Sequence, residues 1–357
     1  MELDFNNNSC NICLMDDSAL GFERLDSGGC NFCYSAVIRP EVSINQNDFE
    51  KLINSLLEQK GEYKAVVGIS GGVDSAYVAH VLDQYGIKAL LVHMDNGWNS
   101  HLATFNIKQI VNQTRHDFVS YVLFWPELRE MQKRFFSADV VDVELLYDHA
   151  AIAVLNYYAK KFNICTIIDG VNIQTEGIKI PENWRWYKYD ATNIRAITRG
   201  VLHINYPFFN TLDRVKSNSN GIKNISLLNY FNYQKSEALN ILEKKYGYRR
   251  YDGKHEESTF TKFYQDIILP NKFLIDKRKL HLSDLIVNGE ITREDGLQVL
   301  QSTISLDEFL ETDRFILNKL NMSKSDFVDY IRRKPKKHSS YMNEYIAIKV
   351  AKFFLGR

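Results

Sequence analysis

Ser70-Gly71-Gly72-Val73-Asp74-Ser75 is the stretch of this 357-residue chain whose residue types and order most directly imply chemistry. It follows the apolar run Ala65-Val66-Val67-Gly68-Ile69 and opens the amphipathic segment 76–84. A strand that breaks into Ser-Gly-Gly and then starts a helix forms a backbone cup. Unpaired N–H groups and the positive end of the helix dipole there face one spot, which suits an anion. Gly71 and Gly72 let the backbone approach that anion, and Ser70 and Ser75 add hydroxyl donors. Asp74 repels a phosphate unless a divalent cation lies between them, so its presence implies Mg²⁺.

Four of the five cysteines form a second constellation, Cys10-x2-Cys13 and Cys30-x2-Cys33, with sixteen residues between the pairs. This is zinc-ribbon spacing, and four thiolates on two knuckles suit tetrahedral Zn²⁺. Two disulfides are the weaker reading in a reducing compartment, and a redox pair needs only one CxxC. Cys165 lies in the strand-like run 164–168 and reads as a buried, inert thiol.

Other polar clusters fall where strands are expected to end. His93-Met94-Asp95-Asn96-Gly97-Trp98 follows a second apolar run; the plain reading is a capped turn, the functional one places His93 and Asp95 beside a nucleotide. In Asp169–Gly177, Asn172, Thr175 and Glu176 project toward the same crevice, with Glu176 a second Mg²⁺ carboxylate opposite Asp74. Further on, Lys254, His255 and Glu257 precede or open a helix, and Lys277 and Arg278 supply another cluster of fixed charge for triphosphate or an anionic sugar.

The elements that must position these residues follow an α/β pattern. Strands are expected near 64–69, 88–94, 118–124 and 164–168, and helices near 75–85, 101–116 and 142–162. Such alternation gives a parallel sheet with ligands at the carboxyl ends of the strands. The linear division is a cysteine module over 1–40, a linker helix within 41–62, the sheet domain over 63–200, and a mainly helical region over 201–357. That last region is expected to hold a short extended piece over 201–209, a loop at 217–221, and helices near 226–247, 258–268, 292–302, 305–320, 323–333 and 341–355, serving substrate binding or oligomerisation. Lys plus Arg, 44, balances Asp plus Glu, 44, so no basic face calls for nucleic acid. The start shows no signal peptide and no run reaches membrane-span length, which implies a soluble cytoplasmic protein with no membrane partner.

The loop resembles the SGGxDS pyrophosphate loop (PP-loop) of the N-type ATP pyrophosphatases, which implies ATP cleavage between the α- and β-phosphates. The ordered set resembles, more narrowly, the N-acetyl sugar amidotransferase family of lipopolysaccharide O-antigen and pseudaminic or legionaminic (nonulosonic) acid biosynthesis. The set comprises both CxxC knuckles, Ser70–Ser75, Asn172-x2-Thr175-Glu176, Lys254-His255-x-Glu257-Ser258, Thr261-x-Phe263, Asp276-Lys277-Arg278, Ser283-x-Leu285-Ile286 and 289–294. Gly296 departs from the family, where Ala is expected. The resemblance implies conversion of an acetamido group to an acetamidino group through an adenylated imidate. It implies ATP, Mg²⁺ and Zn²⁺, an acidic N-acetylated sugar or sugar nucleotide, and ammonia from a glutaminase–synthase pair similar to that of histidine biosynthesis. Positive charge near the α-phosphate then falls to Lys254 and Arg278, with His255 or Glu257 taking a proton from ammonium. A tRNA 2-thiolation enzyme is the alternative, opposed by the shortage of cysteines and the neutral charge.

Overall fold

The computed structural model describes residues 9–37, 46–251, 257–302, 304–312 and 314–345. Lys254 and His255, the segment 41–45 and most of the helix expected over 341–355 lie outside them. Two compact units are present, neither continuous in sequence: one from 1–43, 172–186 and 263–335, the other from 44–171, 187–262 and 336–357.

The larger unit is built on five parallel strands, β1 Ala65–Gly68, β2 Ala89–Asp95, β3 Asp117–Val122, β4 Thr166–Asp169 and β5 Lys223–Ser226, in the order β3-β2-β1-β4-β5. In β1, Ala65 and Val67 face the apolar cluster of Ala79, Leu82, Ile110 and Leu242. Val66 points the other way, toward Leu90, Val154 and Ile167. Burial on both faces explains why the central strands read as unbroken apolar runs. The order reverses at β1, so β2 and β4 flank it on opposite sides. The crevice at the carboxyl ends of β1 and β4 is the place such sheets keep for a ligand.

The expected α/β sheet is thus present, with differences in detail. A helix over Trp125–Ala138 and strand β5 were not expected. The 217–221 loop is largely the end of a helix, Thr211–Ser219, whose start is fixed by a capping box between Asn210 and Asp213. The stretch expected as helix 226–247 is a short 3-10 turn at Leu227–Tyr230 followed by a helix only from Lys235 to Tyr246. Cys165 is exposed, not buried: β4 starts one residue later, and Thr166, Ile167 and Ile168 fill the sheet positions. Among the described residues no helix is long and apolar enough to cross a membrane.

The smaller unit packs the cysteine module against helices Arg278–Val287 and Arg293–Gln301. Leu14 N–H donates to Ser283 Oγ at 2.9 Å. The Arg293 guanidinium donates to the carbonyls of Cys13 and Cys10 at 3.2 and 3.1 Å, and Lys279 pairs with Asp16. A Cβ on Gly296 would lie 2.8 Å from Leu14 Cδ1 and 3.1 Å from Ile286 Cδ1. The missing methyl at Gly296 therefore makes room for Leu14. A separate aromatic cluster of Phe263, Phe309, Phe327 and Tyr330 supplies further core.

Candidate active site

The loop after β1 has the geometry of an anion cup. Gly71 sits at φ +91°, and a Cβ there would be 2.7 Å from the Ala103 carbonyl oxygen, so only glycine fits. Gly72 is the N-cap of helix Val73–Gln84, and no side chain caps that end, which leaves its first amides for a ligand. Ser75 Oγ donates to the Gly72 carbonyl at 3.1 Å and accepts Ser70 N–H at 3.3 Å, while Ser70 Oγ accepts Gly72 N–H at 3.2 Å. The two serines therefore also brace the turn. At the end of β4, a Cβ on Gly170 would lie 3.0 Å from Ser75 N and 3.1 Å from Asp74 Cβ, so β4 and the loop meet at a bare backbone.

His93 and Asp95 are both occupied with the scaffold. His93 Nδ1 donates to the Ile69 carbonyl at 2.8 Å, which leaves Nε2 to accept from Asn99 Nδ2 at 2.9 Å. Asp95 Oδ1 accepts Gly97 N–H at 2.8 Å and Asn99 Nδ2 at 3.1 Å. Their visible work is to hold the end of β1 and the 95–99 turn.

Asp74 accepts a short hydrogen bond from Tyr233. Glu257 is the second carboxylate brought to the loop in this unit. Its Oε1 would be 2.5 Å from a Cβ on Gly72, so the bare Gly72 is what admits it. Its backbone carbonyl accepts Ser100 N–H at 2.8 Å, which ties it to the start of helix His101–Gln113. Burial pushes the Asp169 carboxyl up, against hydrogen bonds from Ser226 Oγ at 2.8 Å and Val171 N–H at 3.2 Å.

Asn172, Thr175 and Glu176 belong to the smaller unit. Asn172 Oδ1 accepts Thr175 N–H at 2.9 Å in a buried turn, while Glu176 is exposed. Arg278 lies in the same unit and forms a two-point ion pair with Asp276, 2.9 and 2.7 Å, and donates to the Ser302 carbonyl at 2.6 Å. That holds the guanidinium inside its own unit as a link between two helix ends. Lys277 is the N-cap residue of the same helix and is partly exposed.

Cys10, Cys13, Cys30 and Cys33 are buried, with ligand atoms all within 4.8 Å of one another. The Sγ–Sγ distance is 3.7 Å for Cys10–Cys33, Cys13–Cys30 and Cys30–Cys33. Thiolates about 2.3 Å from one tetrahedral ion lie about 3.8 Å apart, so the set fits a single metal ion. Backbone N–H groups of Ile12, Cys13 and Cys30 donate to the sulfurs at 3.2–3.4 Å, as knuckle geometry requires. Hydrogen bonding between Cys10 and Cys13 holds the Cys10 thiol below its ordinary value and pushes Cys13 above it.

Sequence reasoning missed the tyrosines at this site: Tyr233 on Asp74, and Tyr248 and Tyr251 on the Gly71 carbonyl. Their only signal was the density of Tyr around a helix, which more often means core.

No curated protein matches the sequence. Among solved structures, NH3-dependent NAD synthetase from Campylobacter jejuni is similar at 14% identity, covering 58% of this chain and 94% of its own, with a TM-score of 0.31. The U34-tRNA thiolase NcsA from Methanococcus maripaludis, solved with its [4Fe-4S] cluster, is 14% identical over 92% of this chain and 98% of its own, TM-score 0.33. At these scores neither likeness carries an inference about reaction. Residues 257–353 match the family described as "LPS biosynthesis protein WbpG-like, C-terminal domain". The match begins at the residue whose carboxylate lies over Gly72. In keeping with the lipopolysaccharide resemblance drawn from the sequence, residues 257–353 are thus similar to the C-terminal domain of WbpG-like lipopolysaccharide biosynthesis proteins.

Proposed function

We propose that the protein is an ATP-dependent amidotransferase that turns the acetamido group of an acidic bacterial surface-polysaccharide sugar, or its nucleotide conjugate, into an acetamidino group. The observation that carries this is the meeting of the two signatures in one place. An uncapped Ser-Gly-Gly helix start lies at the reversal point of a parallel sheet, and the first residue of the lipopolysaccharide-specific region abuts it.

In this reading the amide oxygen attacks the α-phosphorus of ATP and pyrophosphate leaves, giving an adenylated imidate. Ammonia then adds to the imidate carbon, AMP departs, and the amidine keeps the proton that ammonia brings. The amides at Val73 and Asp74 and the hydroxyls of Ser70 and Ser75 receive the departing pyrophosphate. Asp74 is the carboxylate for Mg²⁺, which neutralises phosphate charge when bound, and Glu257 is the second carboxylate the same unit supplies. Lys254 and His255, three and two residues from Glu257 in sequence, retain their proposed parts in charge neutralisation and proton removal. The expectation that Glu176 is the second Mg²⁺ carboxylate is carried as a proposal beside Glu257. The roles expected of Arg278 and Lys277 are proposals too, and the hydrogen bonds of Arg278 favour a structural part. Zn²⁺ is the ion proposed for the four cysteines, with a structural part only. The chain is proposed to act in the cytoplasm, to take ammonia from a glutaminase–synthase pair, and to self-associate.

Thiolation of tRNA is less well supported. The cysteine outside the cluster, Cys165, precedes β4 and so lies at the amino ends of the parallel strands, opposite the loop at their carboxyl ends. The deciding experiment incubates the purified chain with ATP, Mg²⁺, ammonium chloride and candidate acidic N-acetyl sugars. AMP, pyrophosphate and a sugar whose mass falls by the difference between O and NH are expected. AMP formation that depends on tRNA and ignores every sugar would reverse the assignment.

A further inference from the structure

Three tyrosine hydroxyls from one short stretch of chain converge on the Ser70–Ser75 loop. Tyr233 precedes helix Lys235–Tyr246 by two residues and donates to Asp74 Oδ1. Tyr248 and Tyr251 follow the same helix and donate to one acceptor, the Gly71 carbonyl, at 2.9 and 3.0 Å. That oxygen has two lone pairs, and the two phenols fill both.

The consequences differ at the two ends. With its carbonyl held from two sides and its N–H given to Ser70 Oγ at 3.2 Å, the Gly71–Gly72 peptide has one orientation, and the start of helix Val73–Gln84 is set with it. Tyr248 stays a donor at any working pH: burial, then the neighbouring Tyr251, Glu257 and Asp74, push its phenol far up. Tyr233 is 2% exposed and packs on Tyr77 at 5.6 Å between ring centroids, so its hydroxyl has little freedom. With Oδ1 anchored by Tyr233, Oδ2 is the Asp74 oxygen left for a metal.

We propose that Tyr233, Tyr248 and Tyr251 form a hydroxyl clasp that positions the loop for a metal-bound polyphosphate. Tyr233 sets the Asp74 oxygen left for a metal, and Tyr248 with Tyr251 sets the turn from which the uncapped helix amides meet the anion. All three are positioning residues. The proposal rests on the ATP reading of the site given above.

Binding, not turnover, tests it. Mn²⁺ is titrated into the full chain with α,β-methylene ATP and followed by the electron paramagnetic resonance of the free ion. Tyr233→Phe should weaken Mn²⁺ by about tenfold, the order of a hydrogen bond to a charged group. In an Asp74→Asn background the same change should have no further effect. The double variant Tyr248→Phe/Tyr251→Phe should weaken metal-free inorganic pyrophosphate by about tenfold, measured by calorimetry. Wild-type Mn²⁺ affinity in Tyr233→Phe, or an equal loss in the Asp74→Asn background, overturns the assignment of Tyr233. Unchanged pyrophosphate affinity in the double variant overturns the other half. A wild-type chain that binds no Mn²⁺ with this nucleotide removes the ATP reading itself, and the clasp with it, which is a separate result from any of these.

Discussion

At the scale of single residues, two carboxylates and two glycines decide what the cup accepts. Asp74 and Glu257 both stand at a loop built for an anion, so a metal-free triphosphate meets like charge there. Glu257→Gln removes one charge and keeps the shape. Metal-free ATP should then bind about tenfold more tightly, while the dependence of AMP formation on Mg²⁺ weakens. Equilibrium binding with and without a chelator checks this, and tighter binding only in the presence of Mg²⁺ would assign Glu257 another part. Gly71→Ala should be far more damaging, because it combines a left-handed backbone with a 2.7 Å approach to a carbonyl oxygen. A loss of about 2 kcal/mol or more in urea unfolding, together with lost pyrophosphate binding, is expected. The six residues of the loop were legible in sequence because the constraint is local: glycine, hydroxyl and carboxylate at fixed offsets between a strand and a helix. Arg278 was not, since its charge pattern is the same whether it faces phosphate or, as here, Asp276.

At the scale of elements, buried histidines tie the larger unit together. His149 donates from Nδ1 to the Lys188 carbonyl at 2.8 Å and accepts Phe209 N–H at Nε2 at 3.0 Å, so one ring links helix Leu145–Lys161 to two irregular segments. His338 does the same between Asn193 and the Asp142 amide, and His80 meets the Tyr246 hydroxyl at 2.8 Å. Burial lowers each of the three from 6.5 to about 4. The folded state therefore binds fewer protons than the unfolded chain between those values. The stability this neutrality gives is complete above pH 6.5 and is lost as pH falls toward 4. The urea midpoint should decline across that window, and His149→Gln, which cannot titrate, should decline less steeply; equal slopes would place the cause elsewhere. The central strands were readable because both faces are buried and the runs are continuous. Helix Trp125–Ala138 carries a start signal, Pro126 and Glu127 in its first turn, but its apolar and polar residues do not otherwise set it apart in the sequence. Strand β5, Lys-Asn-Ile-Ser at a sheet edge, has too little apolar pattern to declare itself, and it forms because β4 offers it a partner.

At the scale of the whole molecule, two units with separate cores should lose structure separately. The larger unit closes two apolar layers over five strands and needs no metal for that. In the smaller one, Leu14, Asp16 and the knuckle carbonyls of Cys10 and Cys13 are the contacts that hold helices Arg278–Val287 and Arg293–Gln301. The four cysteines shape the knuckles that make those contacts, and a bound ion would contribute its binding free energy directly to that fold. Removing the metal with a chelator, or replacing Cys13 by Ser, should therefore destabilise this unit by several kcal/mol, on the order of what structural zinc supplies to small modules, and leave the other nearly untouched. Hydrogen exchange reads the two units independently. Amides in 278–301 should lose protection on chelation while those of β1, β2 and β4 keep theirs, and metal analysis should return one zinc per chain before treatment and none after. Loss of protection spread evenly over both units would mean that the cysteine module supports the sheet as well, and the metal would then belong to the stability of the anion cup itself.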